Sequence, residues 1–362
     1  MSNIEREPHP APRSAEKRER ILQNPGFGAV FTDHMVTIAW KNGAWGKTRL
    51  QPFGMLQLSP AAMVLHYGQA VFEGLKAYRQ PDGSVCTFRP EANAARFNRS
   101  AARLAMPALD EARFVEAVDL LVDTERAWVP GGADCSLYLR PIMFATESAL
   151  GVRPANEYLF LLFASPAGSY FAGGVKPVNV WLSFDTARAA EGGTGAAKCA
   201  GNYAGTLVPQ AAAAKEGCSQ VLYLDGREHR YVEEMGGMNV FFALRSGDRT
   251  VLVTPELGRR TLLAGITRDS IITLARDAGY EVQERLFSVD EWVKAMDDGT
   301  LLEAFACGTA AVITPIGSIR SERGEWKING GAAGSVAAEL RGRLVDIQCG
   351  RAPDSHHWRH RI

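Results

Sequence analysis

The sequence lacks paired cysteines, an excess of either charge, and any long apolar run. Its six cysteines (Cys86, Cys135, Cys199, Cys218, Cys307 and Cys349) are scattered without a CxxC pair. That spacing excludes the usual zinc frameworks and a disulfide scaffold, and fits buried thiols in a reducing compartment. Lys plus Arg number 40 and Asp plus Glu number 40. The net charge of zero gives no argument for nucleic acid or an anionic membrane as partner. No apolar stretch approaches the roughly 20 residues that span a bilayer. The first residues, MSNIEREPHPAPRSAEKRERI, lack the apolar core of a signal peptide. The expectation is a cytoplasmic protein with no nucleic-acid partner, no membrane partner and no metal. The histidine cluster from His356 to His360 reads as a frayed tail. A nucleotide P-loop is missing too. The glycine loop EGGTGAAKCAGNYAGTL, from Glu191 to Leu207, has Ala197-Lys198-Cys199 where that motif needs Gly-Lys-Ser/Thr. Lys198 therefore needs another explanation.

What is present is an ordinary globular composition, 46% hydrophobic and 22% charged over 362 residues, long enough for about two domains. Gln80-Pro81-Asp82-Gly83 reads as a tight turn between strands. Helices are expected from Pro90 to Met106 and from Glu111 to Val129, then strands from Cys135 to Phe144 and Tyr158 to Phe163. ASPAGSYFAGGVKP (Ala164 to Pro177), rich in Gly, Pro and Ser, marks a domain boundary. Beyond it, strand patterns alternate with helices at Asn202 to Lys215, Ile266 to Asp277 and Ser288 to Met296, the last opening with a capping box. The expected architecture is mixed α/β in two domains, with no obvious right-handed βαβ series. Its divisions are a disordered tail (1–25), a first domain (26–165), a linking loop (166–178), a second domain (179–350) and a C-terminal tail (351–362).

Three further segments bear on Lys198. Glu233 and Glu234 are adjacent on a strand-like run, so alternation sends one of them inward, where a buried carboxylate needs a partner. LAGITR (Leu263 to Arg268) opens a helix whose first N–H groups can bind an anion. FACGTAAV (Phe305 to Val312) is a small-residue turn that lets backbone N–H groups approach a ligand closely. A lysine nucleophile, an inward acid and an anion-binding helix end are the needs of pyridoxal phosphate.

The pattern E-x-G-x-x-N-V-F at Glu234 to Phe241, L-x-T at Leu252 to Thr254 and L-x-G-I-x-R at Leu263 to Arg268 resembles that of class IV (fold type IV) pyridoxal-phosphate aminotransferases. The first half is similar to branched-chain aminotransferases, through FTDHM (Phe31 to Met35), LHYGQAVFEGLKAYR (Leu65 to Arg79), the helix following Phe88-Arg89-Pro90, and SLYLRP (Ser136 to Pro141). The resemblance runs over roughly residues 26 to 350. It implies an α+β-type fold with a smaller N-terminal α/β domain, a larger C-terminal domain, the cofactor where they meet, and assembly as a homodimer or larger.

Roles follow from the resemblance position by position. Lys198 is implied as the catalytic lysine that holds the cofactor covalently and moves a proton. Tyr203 is implied to bond the cofactor's phenolate oxygen, Glu234 its pyridine nitrogen, and Arg96, Ile266, Thr267 and Thr309 its phosphate. Phe27, Tyr67, Phe72 and Tyr170 are implied as an aromatic substrate wall, partly contributed across a dimer. The N–H groups of Thr309 and Ala310, with the Tyr138 hydroxyl, are implied to take the substrate α-carboxylate, and Arg140 the side-chain carboxylate of glutamate. The activity implied is exchange of amino groups between leucine, isoleucine or valine and 2-oxoglutarate. Two departures stand out. Ala311-Val312-Ile313-Thr314 replaces the redox CxxC of mammalian members, and Gly237 stands where some relatives have threonine. D-amino-acid aminotransferases and aminodeoxychorismate lyases share the cofactor half but lack the FTDHM and EGLKAYR stretches. A catalytically silent interaction protein on the same fold is disfavoured by the joint presence of Lys198, Tyr203, Glu234 and Arg96.

Overall fold

The computed structural model describes residues 4–132, 134–168 and 176–362. The chain forms two compact units. One comprises Met1–Tyr170, Ala197–Gly201 and Asp346–Ile362, the other Phe171–Ala196 and Asn202–Val345.

The first unit is built on one sheet. Its strands are β1 (Ile4–Arg6), β2 (His34–Lys41), β3 (Ala44–Trp45), β4 (Thr48–Pro52), β5 (Ala70–Phe72), β6 (Leu75–Arg79), β7 (Val85–Phe88), β8 (Ser136–Ala145) and β9 (Tyr158–Ala167). The order is β1-β4-β2-β9-β8-β6-β7, and Arg359–Arg361 adds a last strand beside β7. β8 and β9 pair antiparallel along their whole length, from Ser136↔Ala167 to Ala145↔Tyr158. Helices α1 (Ala15–Gln23), α2 (Met63–Tyr67), α3 (Pro90–Arg103) and α4 (Glu111–Thr124) complete the unit. α3 starts with proline in its first turn, where no N–H partner is needed. The buried faces of α3 and α4 meet the sheet through Phe97, Phe114 and Phe160, with ring centroids 5.4–5.9 Å apart. Clusters of this kind contribute both apolar burial and edge-to-face ring contacts.

The second unit holds β10 (Val178–Ser183), β11 (Gln220–Leu224), β12 (Val232–Met235), β13 (Asn239–Ser246), β14 (Arg249–Thr254), β15 (Glu281–Glu284), β16 (Leu301–Gly308), β17 (Val312–Ser321) and β18 (Gly324–Lys327). Their order is β12-β11-β10-β17-β16-β13-β14-β15, with β18 on β17. Its helices are α6 (Leu207–Lys215), α7 (Ile266–Asp277) and α8 (Val289–Asp297), while α5 (Ala200–Ala204) and α9 (Ser335–Gln348) each span a division between the units. β14 and β15 are parallel with α7 between them in sequence, and β10 and β11 are parallel with α6 between them, so two βαβ connections are present. Ser288 caps α8 by accepting from the Glu291 N–H at 3.1 Å, as its capping-box pattern predicts. The buried Glu303 carboxylate accepts from Val336 and Ala337 N–H at 2.8 and 3.0 Å, which satisfies the first turn of α9.

Four expectations differ from the structure. The N-terminal stretch is not a loose tail: β1 pairs in parallel with β4, and Ser14 caps α1. Arg13 holds it down, donating to Asp33 at 3.1 Å and to the Phe31 carbonyl at 2.8 Å. The C-terminal tail is likewise ordered. Asp354 accepts from the Trp358 and Arg359 N–H groups at 3.0 and 2.7 Å, and His360 Nε2 lies 3.0 Å from both Asp119 oxygens. The linking loop begins later than its composition suggests, because β9 runs on through Ala167 in register with β8. Asn202 to Lys215 is two helices rather than one. Pro209 has no N–H to donate and falls in the first turn of α6, where none is required.

Candidate active site

Within the first unit, Lys198 lies on an extended segment fixed at both backbone groups. Its N–H donates to the Ser100 hydroxyl at 2.9 Å, and its carbonyl accepts from Phe72 N–H at 3.0 Å. Its neighbours Ala197 and Cys199 are buried in the core. The amine sits 4.7 Å from the Phe72 ring centroid. Arg96, on the buried face of α3, donates from Nε and Nη2 to the two oxygens of fully buried Glu73 at 2.7 and 2.8 Å. This is the bidentate geometry that a guanidinium and a carboxylate share best.

Alternation along β8 puts Tyr138 and Arg140 on one face. Arg140 Nη2 donates to the Tyr138 hydroxyl at 3.1 Å, and its guanidinium lies 4.8 Å from the Phe72 ring centroid. Arg140 Nε is buried without a hydrogen-bond partner. Gly74 makes room for Tyr138, since a Cβ there would stand 2.1 Å from the phenolic oxygen. Phe27 packs edge-on against Tyr138 at 5.2 Å and is 45% exposed. Tyr67 stands apart from this group, its hydroxyl donating to the Leu150 carbonyl. Tyr170 lies outside the described residues.

The charges around Lys198 are mostly positive. Burial pulls its amine down from 10.5 to about 8, helped by Arg96 and Arg140 and opposed by Glu73 and Tyr138. A lysine poised this way has a substantial neutral fraction near pH 8, the form able to act as nucleophile or base.

In the second unit both Glu233 and Glu234 are buried, at 3% and 2% exposure. The expectation that only one faces inward fails because β12 is covered on both faces along its length. Glu234 is ion-paired with Arg188 and also accepts from Asn239 Nδ2 at 3.1 Å and Leu263 N–H at 3.4 Å. Asn239 Nδ2 donates in addition to the Leu263 carbonyl at 3.1 Å. Gly265 permits that reach, for a Cβ on it would lie 2.1 Å from Asn239 Oδ1. The same glycine is the N-cap of α7 and supplies no capping side chain, which leaves the helix start at Ile266 and buried Thr267 to backbone N–H chemistry. Tyr203 lies alongside Gly237, where a Cβ would be 3.5 Å from its ring. Thr309 and Ala310 form the turn between β16 and β17, and Val312 beyond them is held at φ +62°. A β-branched residue in that region stores strain of the kind that collects at ligand-binding turns.

Arg96, Lys198, Phe72, Tyr138, Arg140 and Phe27 are thus gathered in one unit. Glu234 sits beside the start of α7 in the other, with Tyr203 and the Thr309 turn on the same unit. The sequence reading does not single out Glu73, Ser100, Arg188 or Asn239. Ser100 follows Arg96 by one helical turn, and Asn239 lies inside a quoted motif, so both carry a signal. Glu73 also lies inside a quoted stretch, EGLKAYR, which does not name its partner. Arg188 is distant in sequence from the charge it neutralises, and only the requirement that a buried charge be paired points to it.

The sequence profile of Amino-transferase class IV matches residues 70–319. A protein of Streptomyces coelicolor called a probable branched-chain-amino-acid aminotransferase is 55% identical over 361 residues, which cover 99% of this chain and 98% of that protein. The crystal structure of a T.th. branched-chain amino acid aminotransferase with pyridoxamine 5'-phosphate superposes with a TM-score of 0.73 at 32% identity, over 89% of this chain and 97% of that one. The same T.th. enzyme has also been solved with 4-methylvaleric acid and with N-(5'-phosphopyridoxyl)-L-glutamate, with TM-scores of 0.71 at 31% identity and coverage of 89% and 97% in each case. The chain belongs to the class IV aminotransferase family. Within that family it is of the branched-chain-amino-acid aminotransferase kind, with the fold type IV architecture.

Proposed function

We propose that the protein catalyses pyridoxal-phosphate-dependent transamination between L-leucine, L-isoleucine or L-valine and 2-oxoglutarate, giving branched-chain 2-oxoacids and L-glutamate. The observation that carries this reading is Lys198, an amine drawn down to about 8 beside the buried Arg96–Glu73 pair and the Phe72–Tyr138–Arg140 group.

The residues fit that cofactor. Pyridoxal phosphate, when bound, supplies an aldehyde that carries the amino group and a ring that takes up electron density. Lys198 would hold it covalently and then, as a free amine, carry the proton to and from the substrate Cα. Glu234, a carboxylate steadied by Arg188 and Asn239, would accept a hydrogen bond from the ring nitrogen and favour its protonated form. Tyr203 would donate to the phenolate oxygen. Arg96 and the N–H groups at Ile266 and Thr267, with Thr309, would hold the phosphate.

Branched aliphatic side chains would lie against Phe27 and Phe72, with Tyr67 part of the wall contributed across the proposed dimer. The α-carboxylate would take the Tyr138 hydroxyl and the Thr309 and Ala310 N–H groups. Arg140, with its buried Nε lacking a partner, offers a charge-assisted site for the side-chain carboxylate of glutamate. The T.th. enzyme, solved with both an aliphatic acid and a glutamate adduct, supports a dual-substrate reading.

A homodimer is part of the proposal. Met55, Leu65, Leu150 and Val152 are 99%, 61%, 69% and 86% exposed in the first unit. The Tyr67–Leu150 bond ties two of these segments together. Exposed apolar groups of this density mark an association surface. All six cysteines are free thiols, which supports a cytoplasmic setting.

Single-turnover spectra with leucine, glutamate and D-alanine test the activity. Leucine and glutamate are expected to convert the cofactor, and reaction with D-alanine in place of leucine would overturn the assignment. Sedimentation equilibrium tests the dimer, which a monomer at micromolar concentration would exclude.

A further inference from the structure

The second unit contains a buried acid for which the transamination chemistry has no use. Glu233 precedes Glu234 on β12, and neither of its oxygens has a hydrogen-bond partner. Arg188 lies between the two acids electrostatically. Its Nη2 serves Glu234, the Thr261 carbonyl at 2.7 Å and the Gly195 carbonyl at 3.1 Å, while its Nε is buried and unpartnered. The Tyr223 hydroxyl is also buried without a partner, and the Thr261 hydroxyl, which makes no hydrogen bond of ordinary geometry, is the polar group that most favours the Glu233 carboxylate. Arg188 is thus paired with Glu234 and retains an unused donor, while the neighbouring acid Glu233 feels its charge.

We propose that Glu233 and Arg188 together position Glu234, and that the charge on Glu233 sets how firmly Arg188 holds it. The groups that act on Glu233 are the Thr261 hydroxyl, Arg188, Glu234 and Asp225. Asp225 is itself engaged by the N–H groups of Glu228, Arg230 and Tyr231 and by Arg259 at 3.7 Å. Burial pushes the Glu233 carboxyl up to about 7. The Thr261 hydroxyl and Arg188 act against this, and Glu234 and Asp225 add to it. Below that point Glu233 is a neutral acid and Arg188 is left to Glu234. Above it a second buried carboxylate competes for the same cation, because neither charge can be left unpaired away from water.

This inference rests on the reading of Glu234 as the group facing the cofactor's ring nitrogen. The test uses the protein loaded with pyridoxal phosphate and the Glu233→Gln variant. Infrared titration of the wild type is expected to show one protonated buried carboxyl at pH 6 that is lost by pH 8.5, and Glu233→Gln is expected to lack it. Because the Lys198 amine titrates in both proteins, the readout is the ratio of the pyridoxal phosphate dissociation constants, wild type over Glu233→Gln, which is expected to rise about threefold to tenfold between those pH values, on the scale of one pKa unit of coupling. A carboxyl signal that persists in Glu233→Gln, or identical pH dependence in both proteins, overturns the proposal. The wild-type titration decides the first point even where the variant folds poorly, since absence of any carboxyl titrating near 7 is sufficient refutation. A protein that does not bind pyridoxal phosphate at all refutes the functional reading instead, and it refutes the positioning role with it while leaving the infrared result interpretable.

Discussion

Each unit buries an arginine–glutamate pair, and the two pairs are surrounded by charge of opposite sign. Around Arg96 and Glu73 the additional groups are cations, Lys198 and Arg140. Around Arg188 and Glu234 the additional group is an acid, Glu233. The response is the same in both places: the surplus group moves toward its neutral form. Lys198 is drawn down to about 8 and Glu233 pushed up to about 7. Burial is the first cause in each, and the nearest pair decides how far it goes. Excess charge in a dry site is removed by shifting a proton more readily than by adding a counter-ion.

The largest expected effect comes from removing the surplus group of the first pair. Lys198→Ala is expected to lower transamination by about 1,000-fold or more, because in the proposed reaction nucleophile and proton carrier would be one residue. Borohydride reduction and peptide mapping of the wild type is expected to place the pyridoxyl group on Lys198. A label on Lys176 or Lys215 would reverse that.

Removing a member of a pair is next. Glu73→Gln leaves the buried Arg96 guanidinium without its partner charge, and is expected to cost about 3 kcal/mol in urea unfolding. It also removes the one carboxylate that raises the Lys198 amine, so that amine falls further. Unchanged stability would mean that solvent reaches the pair.

The two surplus groups also impose opposite slopes on stability against pH. Glu233 has an ordinary value of 4.5 and about 7 when folded, so between these values the folded state holds the proton that the unfolded state has lost. Stability therefore falls with rising pH through that window, by about 3 kcal/mol in all, and Glu233→Gln is expected to recover it above pH 7 with no gain below pH 4.5. Lys198 behaves the other way in cofactor-free protein. From about 8 to 10.5 the unfolded chain holds the extra proton, so stability contributed by this group rises with pH. Denaturation midpoints across pH 4 to 10 check both slopes, and parallel curves for wild type and Glu233→Gln would remove the contrast.

Much of this comparison is legible in the sequence, and the reason it is incomplete is physical. α7 runs from Ile266 to Asp277 as its periodicity predicts, and the α8 cap falls on Ser288. Local spacing carries those features. Lys198, Arg96 and Glu234 stand out through motifs and helix or strand context. Their pairings with counter-charges do not, because Glu73, although inside EGLKAYR, meets Arg96 across 23 positions and Arg188 meets Glu234 through a loop-to-strand contact. Pairing of buried charge is set by tertiary packing, and no periodicity reports it. The termini mislead for the same reason. A charged, proline-dotted stretch looks unfolded until Arg13 finds Asp33, and a histidine-rich tail looks frayed until His360 finds Asp119.

A smaller effect separates Arg140 from the structural cations. Arg140→Met keeps much of the apolar stem over Phe72 and removes the charge. Glutamate or 2-oxoglutarate is expected to lose about tenfold to over a hundredfold in kcat/KM, the worth of one charge-assisted bond, roughly 1.5–3 kcal/mol. Leucine is expected to lose far less in its own half-reaction. The Lys198 amine is expected to rise, since Arg140 is one of the cations that lower it. Equal losses for leucine and glutamate in single-turnover kinetics would make Arg140 a structural residue and end the dual-substrate account.

The smallest expected effect is on thiol chemistry, where each charged group again has a neighbour that reveals its surroundings. Cys199 follows Lys198 and is buried in the first unit's core. Cys307, on β16, is buried in the second, and its thiol is pushed far above the ordinary value, first by burial and then by Glu234, against the pull of Arg268. A thiol reacts with peroxide through its thiolate, so Cys307 has almost none of the reactive form at neutral pH. The positions of the mammalian redox pair hold Ala311 and Thr314, both buried and neither able to form a disulfide. Mild peroxide is therefore expected to change activity by less than about twofold. Inactivation that a reductant reverses would show that one thiol is more accessible than its burial allows. Cys199 would be the first to replace, because oxidation there would disturb the segment that fixes Lys198 between Phe72 and Ser100.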